Sequence, residues 1–226
     1  MPRIHCSALL IDMDGVLVDS TPAVARVWSR WAHRHNMDPH YVVAFAHGRT
    51  SLASIQELLP DEPPEIHHEE NDWMERAEQE DVADVIALPG ARQLLTSVPG
   101  SQRAVVTSAS RPLAEIRLRA AGLWELVTHL VSATDVLHSK PDPEPYQKGA
   151  AVLQTAPDLC VVIEDAPSGT RAGKAAGARV LGLRTTTQDE ALFAAGADWI
   201  ANDCASIHIT CSPTSADLLL ELPDPR

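Results

Sequence analysis

Apolar residues along this chain follow two patterns, and the change between them divides the sequence. Over residues 21–87 they fall at helical spacing: Val24, Val27, Trp28 and Trp31 come first, and Leu52, Ile55, Leu58 and Leu59 lead to Pro60. Asp19 or Ser20 can cap the first of these helices, with Pro22 in its first turn. A short apolar piece at 41–45 lies between the two. From Leu88 onward, short unbroken apolar runs alternate with helical segments. Runs at 103–107, 127–132, 159–163, 179–183 and 198–200 predict strands; 112–121, 142–153, a Gly- and Ala-rich stretch from 168, and 187–195 predict helices.

A run that is apolar at every position, rather than at every second one, is a strand covered on both faces. Strands separated by helices of this length need crossover connections, hence a mostly parallel sheet layered by helices. The expectation is an α/β protein in which residues 1–20 and 88–226 form a parallel-sheet core and 21–87 an inserted all-helical domain. Residues 216–222 are expected to add a short helix at the end.

Sheets of this kind bind ligands at the carboxyl ends of their strands, and four such loops carry chemistry. The apolar run 8–11 ends in Asp12-Met13-Asp14-Gly15. Residues two apart in an extended chain point to one side, so both carboxylates can face one reacting centre. Their repulsion is relieved by a cation between them or by a proton on one. Thr107-Ser108 closes a strand with hydroxyl and N–H donors suited to phosphate oxygens. Lys140, one of three lysines in the chain, precedes Pro141-Asp142-Pro143, whose rings restrict the backbone that holds the ammonium. Glu164-Asp165 ends the run 159–163, and acids at the end of a buried strand need a partner, naturally a hard divalent cation. Gly169, Gly173 and Gly177 recur every four residues and predict a close-packed helix face rather than a dinucleotide site.

The net charge of −13 argues against a nucleic-acid partner, because such proteins cluster Lys and Arg against phosphates. A small phosphorylated substrate is compatible with it only if a metal and a few placed basic residues offset the repulsion. Eleven of the acids lie between residues 61 and 84 beside a single arginine, which predicts a solvated helix face. Cys6, Cys160, Cys204 and Cys211 lack the spacing of a zinc site or a disulfide framework. The chain has no apolar run long enough to span a bilayer, and Met1-Pro2-Arg3-Ile4-His5 is not the start of a signal peptide. A cytoplasmic protein without membrane contact is expected.

Taken in order, Asp12-x-Asp14, Thr107-Ser108, Lys140-Pro141 and Glu164-Asp165 resemble the four motifs of the haloacid dehalogenase superfamily, over residues 7 to about 200. The insert directly after the first motif resembles that superfamily's C1-type helical cap on a Rossmann-like core. Ala46-His47-Gly48-Arg49-Thr50 and the stretch 139–149 are similar to deoxyglucose-phosphate and glycerol-phosphate phosphatases, although the first is one residue shorter between Gly48 and Thr50. The resemblance implies that Asp12 attacks phosphorus to give an aspartyl-phosphate, while Asp14 protonates the leaving alcohol and then activates water. It implies magnesium held by the Asp12 and Asp165 carboxylates and the Asp14 backbone carbonyl, with Glu164 behind them. Thr107, Ser108 and Lys140 would hold the phosphoryl oxygens, and Arg49 and His47 of the cap are the candidates for substrate contact.

The same scaffold supports other reactions. Dehalogenases lack the second acid that Asp14 supplies, and phosphonatases use a cap lysine where residues 21–87 contain none. β-Phosphoglucomutases share all four motifs but carry a cap lysine, and a cap histidine where this chain has Val24. A non-catalytic regulatory module would not need Asp12, Asp14, Lys140 and Asp165 together. The expectation is a magnesium-dependent phosphatase of small sugar or polyol phosphates, expected to act as a monomer, with a phosphosugar mutase as the alternative.

Overall fold

The computed structural model describes residues 2–211 and 217–223. Strands β1 (Arg3–Cys6), β2 (Ala8–Ile11) and the short β3 (Val18–Asp19) precede four helices, α1 (Thr21–Arg34), α2 (Pro39–Ala46), α3 (Ser51–Leu58) and α4 (Pro64–Glu80). The chain returns through β4 (Ile86–Ala87) to α5 (Ala91–Ser97), β5 (Arg103–Val106), α6 (Arg111–Ala120), β6 (Leu130–Val131) and α7 (Glu144–Val152). It continues as β7 (Cys160–Glu164), α8 (Pro167–Ala175), β8 (Arg179–Leu183), α9 (Asp189–Ala195), β9 (Trp199–Ala201), β10 (His208–Cys211) and β11 (Leu218–Glu221).

Six strands form one sheet in the order β6-β5-β2-β7-β8-β9, with every pair parallel. The strand that ends in Asp12 therefore lies inside the sheet, flanked by those that end at Thr107 and Asp165. All four residues of β2 are fully buried, as an unbroken apolar run requires. Alternation sends Leu9 and Ile11 to one face, with Leu95 of α5 and Leu118 of α6. It sends Ala8 and Leu10 to the other, with Tyr146 of α7 and Ala172 of α8.

The helices between residues 21 and 80 have a core of their own, built on Trp28, Trp31, Ile55 and Met74. Trp28 and Trp31 meet edge to face at 5.6 Å between centroids. The 41–45 piece belongs to α2, whose N–H at His40 is capped by the Asp38 carboxylate at 2.9 Å. At the foot of the insert β3 and β4 pair antiparallel, Val18 with Ala87 and Asp19 with Ile86, so the outgoing and returning chains are tied together.

The fold departs from expectation at its C-terminal end. Residues 218–221 are a strand, β11, sandwiched antiparallel between β1 and β10, rather than part of a helix; residue 216 lies outside the described residues. Three consecutive leucines are compatible with either state, and the partner that decides is Arg3–Cys6, at the opposite end of the chain. Within 127–132 only Leu130 and Val131 pair, because Trp124–Leu126 turn as a 3₁₀ segment first. Gly177 lies past the end of α8 at φ +89°, where it ends the helix instead of packing on its face.

Candidate active site

The carboxyl ends of β2, β5 and β7 and the loop after β6 open into one cavity of about 480 Å³, whose far wall is the helical insert. Asp12, Asp14, Thr107, Ser108, Lys140 and Asp165 line its floor, so the predicted motifs converge. Asp12 is fixed to the neighbouring strand by its N–H, which donates to Ile163 O at 3.0 Å. Lys140 is buried, and its Nζ donates to Asp12 Oδ1 at 2.5 Å, Glu164 Oε1 at 2.8 Å and Val106 O at 3.1 Å. An ammonium has three protons, and all are used.

Glu164 is saturated. Its Oε1 also accepts the Tyr146 hydroxyl at 2.8 Å, and Oε2 accepts the N–H groups of Asp165 at 2.9 Å and Ala166 at 3.0 Å. That carboxylate is a hub that aims Lys140 and shapes the turn into α8. A Cβ on Gly169 would stand 1.5 Å from Glu164 Oε1, which is why glycine occupies the first turn of that helix. Gly15 answers a similar demand: at φ +78°, its missing Cβ leaves room for Asp165 Oδ2, which would otherwise lie 2.0 Å away. The Thr186 hydroxyl donates to that same Asp165 oxygen.

Asp12, Glu164 and Asp165 hold carboxylate oxygens within 4.8 Å of one another, all buried. Three carboxylates and one ammonium leave a formal charge of −2. Burial, reinforced by Glu164 and opposed by Lys140, pushes the Asp12 carboxyl up to about 8, and burial with Glu164 and Asp12 pushes Asp165 well above the carboxylate range. Burial would depress Lys140, but Asp12 and Glu164 outweigh it and hold the ammonium charged. An all-oxygen, buried, negatively charged donor set fits a hard divalent cation. With Glu164 saturated, Asp12 and Asp165 have the carboxylate oxygens left to offer it.

Asp14 opens onto the cavity with Oδ1 accepting from the Ser20 hydroxyl at 2.5 Å and from Arg117 at 3.1 Å. Thr107 is buried, and its Oγ1 accepts the Ala109 N–H at 3.1 Å at the entrance to α6. The Ser110 hydroxyl nearby is buried without a hydrogen-bond partner among the described residues and lines the same cavity.

The insert docks through its 46–50 loop. Ser168 Oγ donates to Gly48 O at 2.7 Å, and a Cβ at Gly48, itself at φ +71°, would meet Ala166 Cβ at 2.7 Å. This seats His47 beside the acids, with Nε2 3.1 Å from Thr186 Oγ1 and 3.8 Å from Asp165 Oδ2. Burial lowers its pKa, with Glu164 and Asp14 opposing. Arg49 also lines the cavity, but both terminal nitrogens of its guanidinium are on Glu57, and its Cζ lies 4.6 Å from the Phe45 ring centroid.

Several of these residues were not anticipated, yet two left a trace. Arg117 falls on the stripe Leu113-Ala114-Arg117-Leu118, and Glu78 on Met74-Ala77-Glu78, each at the i, i+3, i+4 positions of a buried helix face. The acidic stretch 61–84 is accordingly not a wholly solvated face: Glu78 is buried in the cavity wall. Tyr146 and Thr186 carry no comparable signal, since their partners lie on other loops.

Residues 6–177 match the model of the haloacid dehalogenase-like hydrolase family. Hexitol phosphatase A of Escherichia coli is 36% identical over 220 residues, which cover 96% of this chain and all of that protein. 2-Deoxyglucose-6-phosphate phosphatase 2 of Saccharomyces cerevisiae is 31% identical over 235 residues, covering 92% of each. A HAD family hydrolase of Deinococcus radiodurans, solved with bound phosphate and sodium, superposes with a TM-score of 0.67 at 29% identity over 88% of this chain and 92% of that one. A hydrolase from Pseudomonas syringae shares the fold, with a TM-score of 0.80 at 24% identity over 88% and 94%. With its four motif loops gathered on one cavity and the family match spanning most of its length, the chain belongs to the haloacid dehalogenase-like hydrolases.

Proposed function

We propose that this protein is a magnesium-dependent phosphatase that hydrolyses small sugar or polyol monophosphates through an aspartyl-phosphate on Asp12, with residues 21–87 acting as its cap. The observation that carries the reading is the juxtaposition of Asp12, held by Lys140, with Asp14 on one loop beneath a roofed cavity. The curated relatives named as hexitol and deoxyglucose-6-phosphate phosphatases support the substrate class.

Asp12 would attack phosphorus as the bond to the alcohol oxygen breaks, and Asp14 would give that oxygen its proton. Asp14, then a carboxylate, would take a proton from the water that cleaves the acyl-phosphate. The donors at Thr107 and Ser108 would hold the phosphoryl oxygens together with Lys140, which would turn the proton now on Asp12 toward them, supplying charge neutralisation that in-line transfer depends on. Asp12, Asp165 and the Asp14 carbonyl are the groups that would hold magnesium. When bound, the metal would neutralise the surplus of carboxylates and the dianionic substrate. A mutase must also seat a second phosphate, and the insert has little to offer one: it lacks lysine, and Arg49 is engaged by Glu57. Free thiols at Cys6, Cys160 and Cys204 suit the reducing cytoplasm.

Phosphate release from a panel of hexitol, deoxyhexose, glycerol and nucleotide monophosphates, with magnesium present, tests the reading. Turnover concentrated on the polyol and sugar esters is expected. A panel without turnover, or with turnover confined to nucleotides, would overturn it.

A further inference from the structure

We infer that Arg117 is a positioning residue for Asp14, anchored on its other side by Glu78 of the inserted helices. The inference rests on the phosphatase reading above and adds to it the groups that orient the proton-transferring acid. Arg117 belongs to α6 in the core, and its side chain is 5% exposed. Its Nη1 donates to Asp14 Oδ1 at 3.1 Å, and its Nη2 lies 3.5 Å from Glu78 Oε1 on α4, itself 9% exposed. A guanidinium on the apolar stripe of a helix is costly to bury unless paired, and here two carboxylates from different parts of the chain pair it.

The geometry singles out one oxygen of the acid. Arg117 and Ser20 both donate to Asp14 Oδ1, so the carboxylate is clamped by that oxygen and Oδ2 is the one neither donor holds. In the first step the P–O bond to the alcohol breaks while the Asp12 O–P bond forms. The proton then passes from Asp14 Oδ2 to the departing oxygen, leaving Asp14 as the carboxylate. Arg117 does not touch phosphorus in this scheme. It fixes the torsion of the group that does the proton transfer, and through Glu78 it ties that orientation to the helix covering the cavity.

A leaving group that needs no proton distinguishes this role from a structural one. The test compares kcat and KM of wild type, Arg117→Lys, Arg117→Leu and Glu78→Gln on the best polyol monophosphate and on para-nitrophenyl phosphate, with thermal melts alongside. For Arg117→Leu the expected fall in kcat/KM on the polyol ester is about 30- to 100-fold, near the lower end of what a general acid itself contributes. The fall is carried by kcat with KM nearly unchanged, while kcat/KM on the nitrophenyl ester stays within about threefold. Arg117→Lys and Glu78→Gln should show the same selectivity at smaller size. If the leucine variant fails to fold, the lysine variant carries the comparison. Equal losses on both esters, a loss confined to KM, or no loss on either overturns the inference. A wild type without phosphatase activity overturns the reading beneath it, and this inference with it.

Discussion

Lys140 Nζ sits 2.5 Å from Asp12 Oδ1, and the same ammonium reaches Glu164 Oε1 at 2.8 Å. The proposed nucleophile, Asp12, is therefore pinned by one oxygen and held by a cation that a second carboxylate aims. Asp12→Asn removes a charge from a cluster of three acids and one ammonium, so the fold should survive, with a melting temperature at or above that of wild type. Phosphate release should fall by at least about a thousandfold, since the covalent step is lost. Near-normal turnover in this variant would refute the assignment. Lys140→Met makes the opposite change and leaves buried carboxylates unpaired. It should destabilise by about 3–5 kcal/mol, read by urea unfolding.

Metal binding should register in stability as well as in rate. A cation that binds only the folded state at a hundred times its Kd adds about 2.7 kcal/mol. Magnesium should therefore raise the melting temperature of chelator-treated protein by several degrees and restore its activity. Asp165→Asn should abolish most of that shift. A melting temperature indifferent to magnesium, in protein verified metal-free, would remove the site.

Gly169→Ala should go against helix propensity. In an open helix this change stabilises by about 1 kcal/mol. Here the added methyl would lie 1.5 Å from Glu164 Oε1, in a carboxylate already fixed by four donors. A loss of about 1–3 kcal/mol is expected, in the range of overpacked cores, together with reduced kcat as Lys140 loses its guide. A stabilised, fully active variant would contradict the packing.

Arg49 is expected to matter less than its place in the cap suggests. Both terminal nitrogens of its fork are on Glu57, so Arg49→Ala should lower kcat/KM on the best polyol ester by less than about threefold, and the partly exposed pair should be worth no more than about 1 kcal/mol. A loss beyond tenfold on the polyol ester, with the nitrophenyl ester spared, would mean that substrate draws the guanidinium away from Glu57.

Asp135 gives a pH dependence of known sign. Burial would raise its carboxyl, but the Ser132 hydroxyl and N–H and the Arg111 guanidinium together hold it below the usual carboxylate range. A depressed folded value means the contribution is present above the unfolded value of about 3.9 and fades as pH falls through the folded one. Asp135→Ala should cost about 1–2 kcal/mol at neutral pH, the size of a lost cap. Denaturant unfolding should find that gap constant from neutral pH to about pH 5 and narrowing below about pH 4. A gap that widens in acid would reverse the assignment.

The sequence by itself determined the parallel sheet, the helical insert and the loops that carry Asp12, Thr107, Lys140 and Asp165. The signals are local: an unbroken apolar run makes a strand buried on both faces, and the polar residues that end β2, β5 and β7 lie at the carboxyl ends of those strands, where the site forms, while Lys140 lies further along the loop after β6. Only the tertiary structure decided the rest, because the deciding partners are remote in sequence. Leu218–Glu221 is a strand because Arg3–Cys6, from the start of the chain, and His208–Cys211 pair along its two sides. Arg49 is engaged by a glutamate two helical turns on, and Glu164 saturates its oxygens through Lys140, Tyr146 of α7 and the N–H groups of the following turn. Arg117 and Glu78 showed only as charges on apolar stripes. Which carboxylates they meet depends on how α4 packs on α6, and helical periodicity sets the buried face of each helix but not the neighbour it buries against.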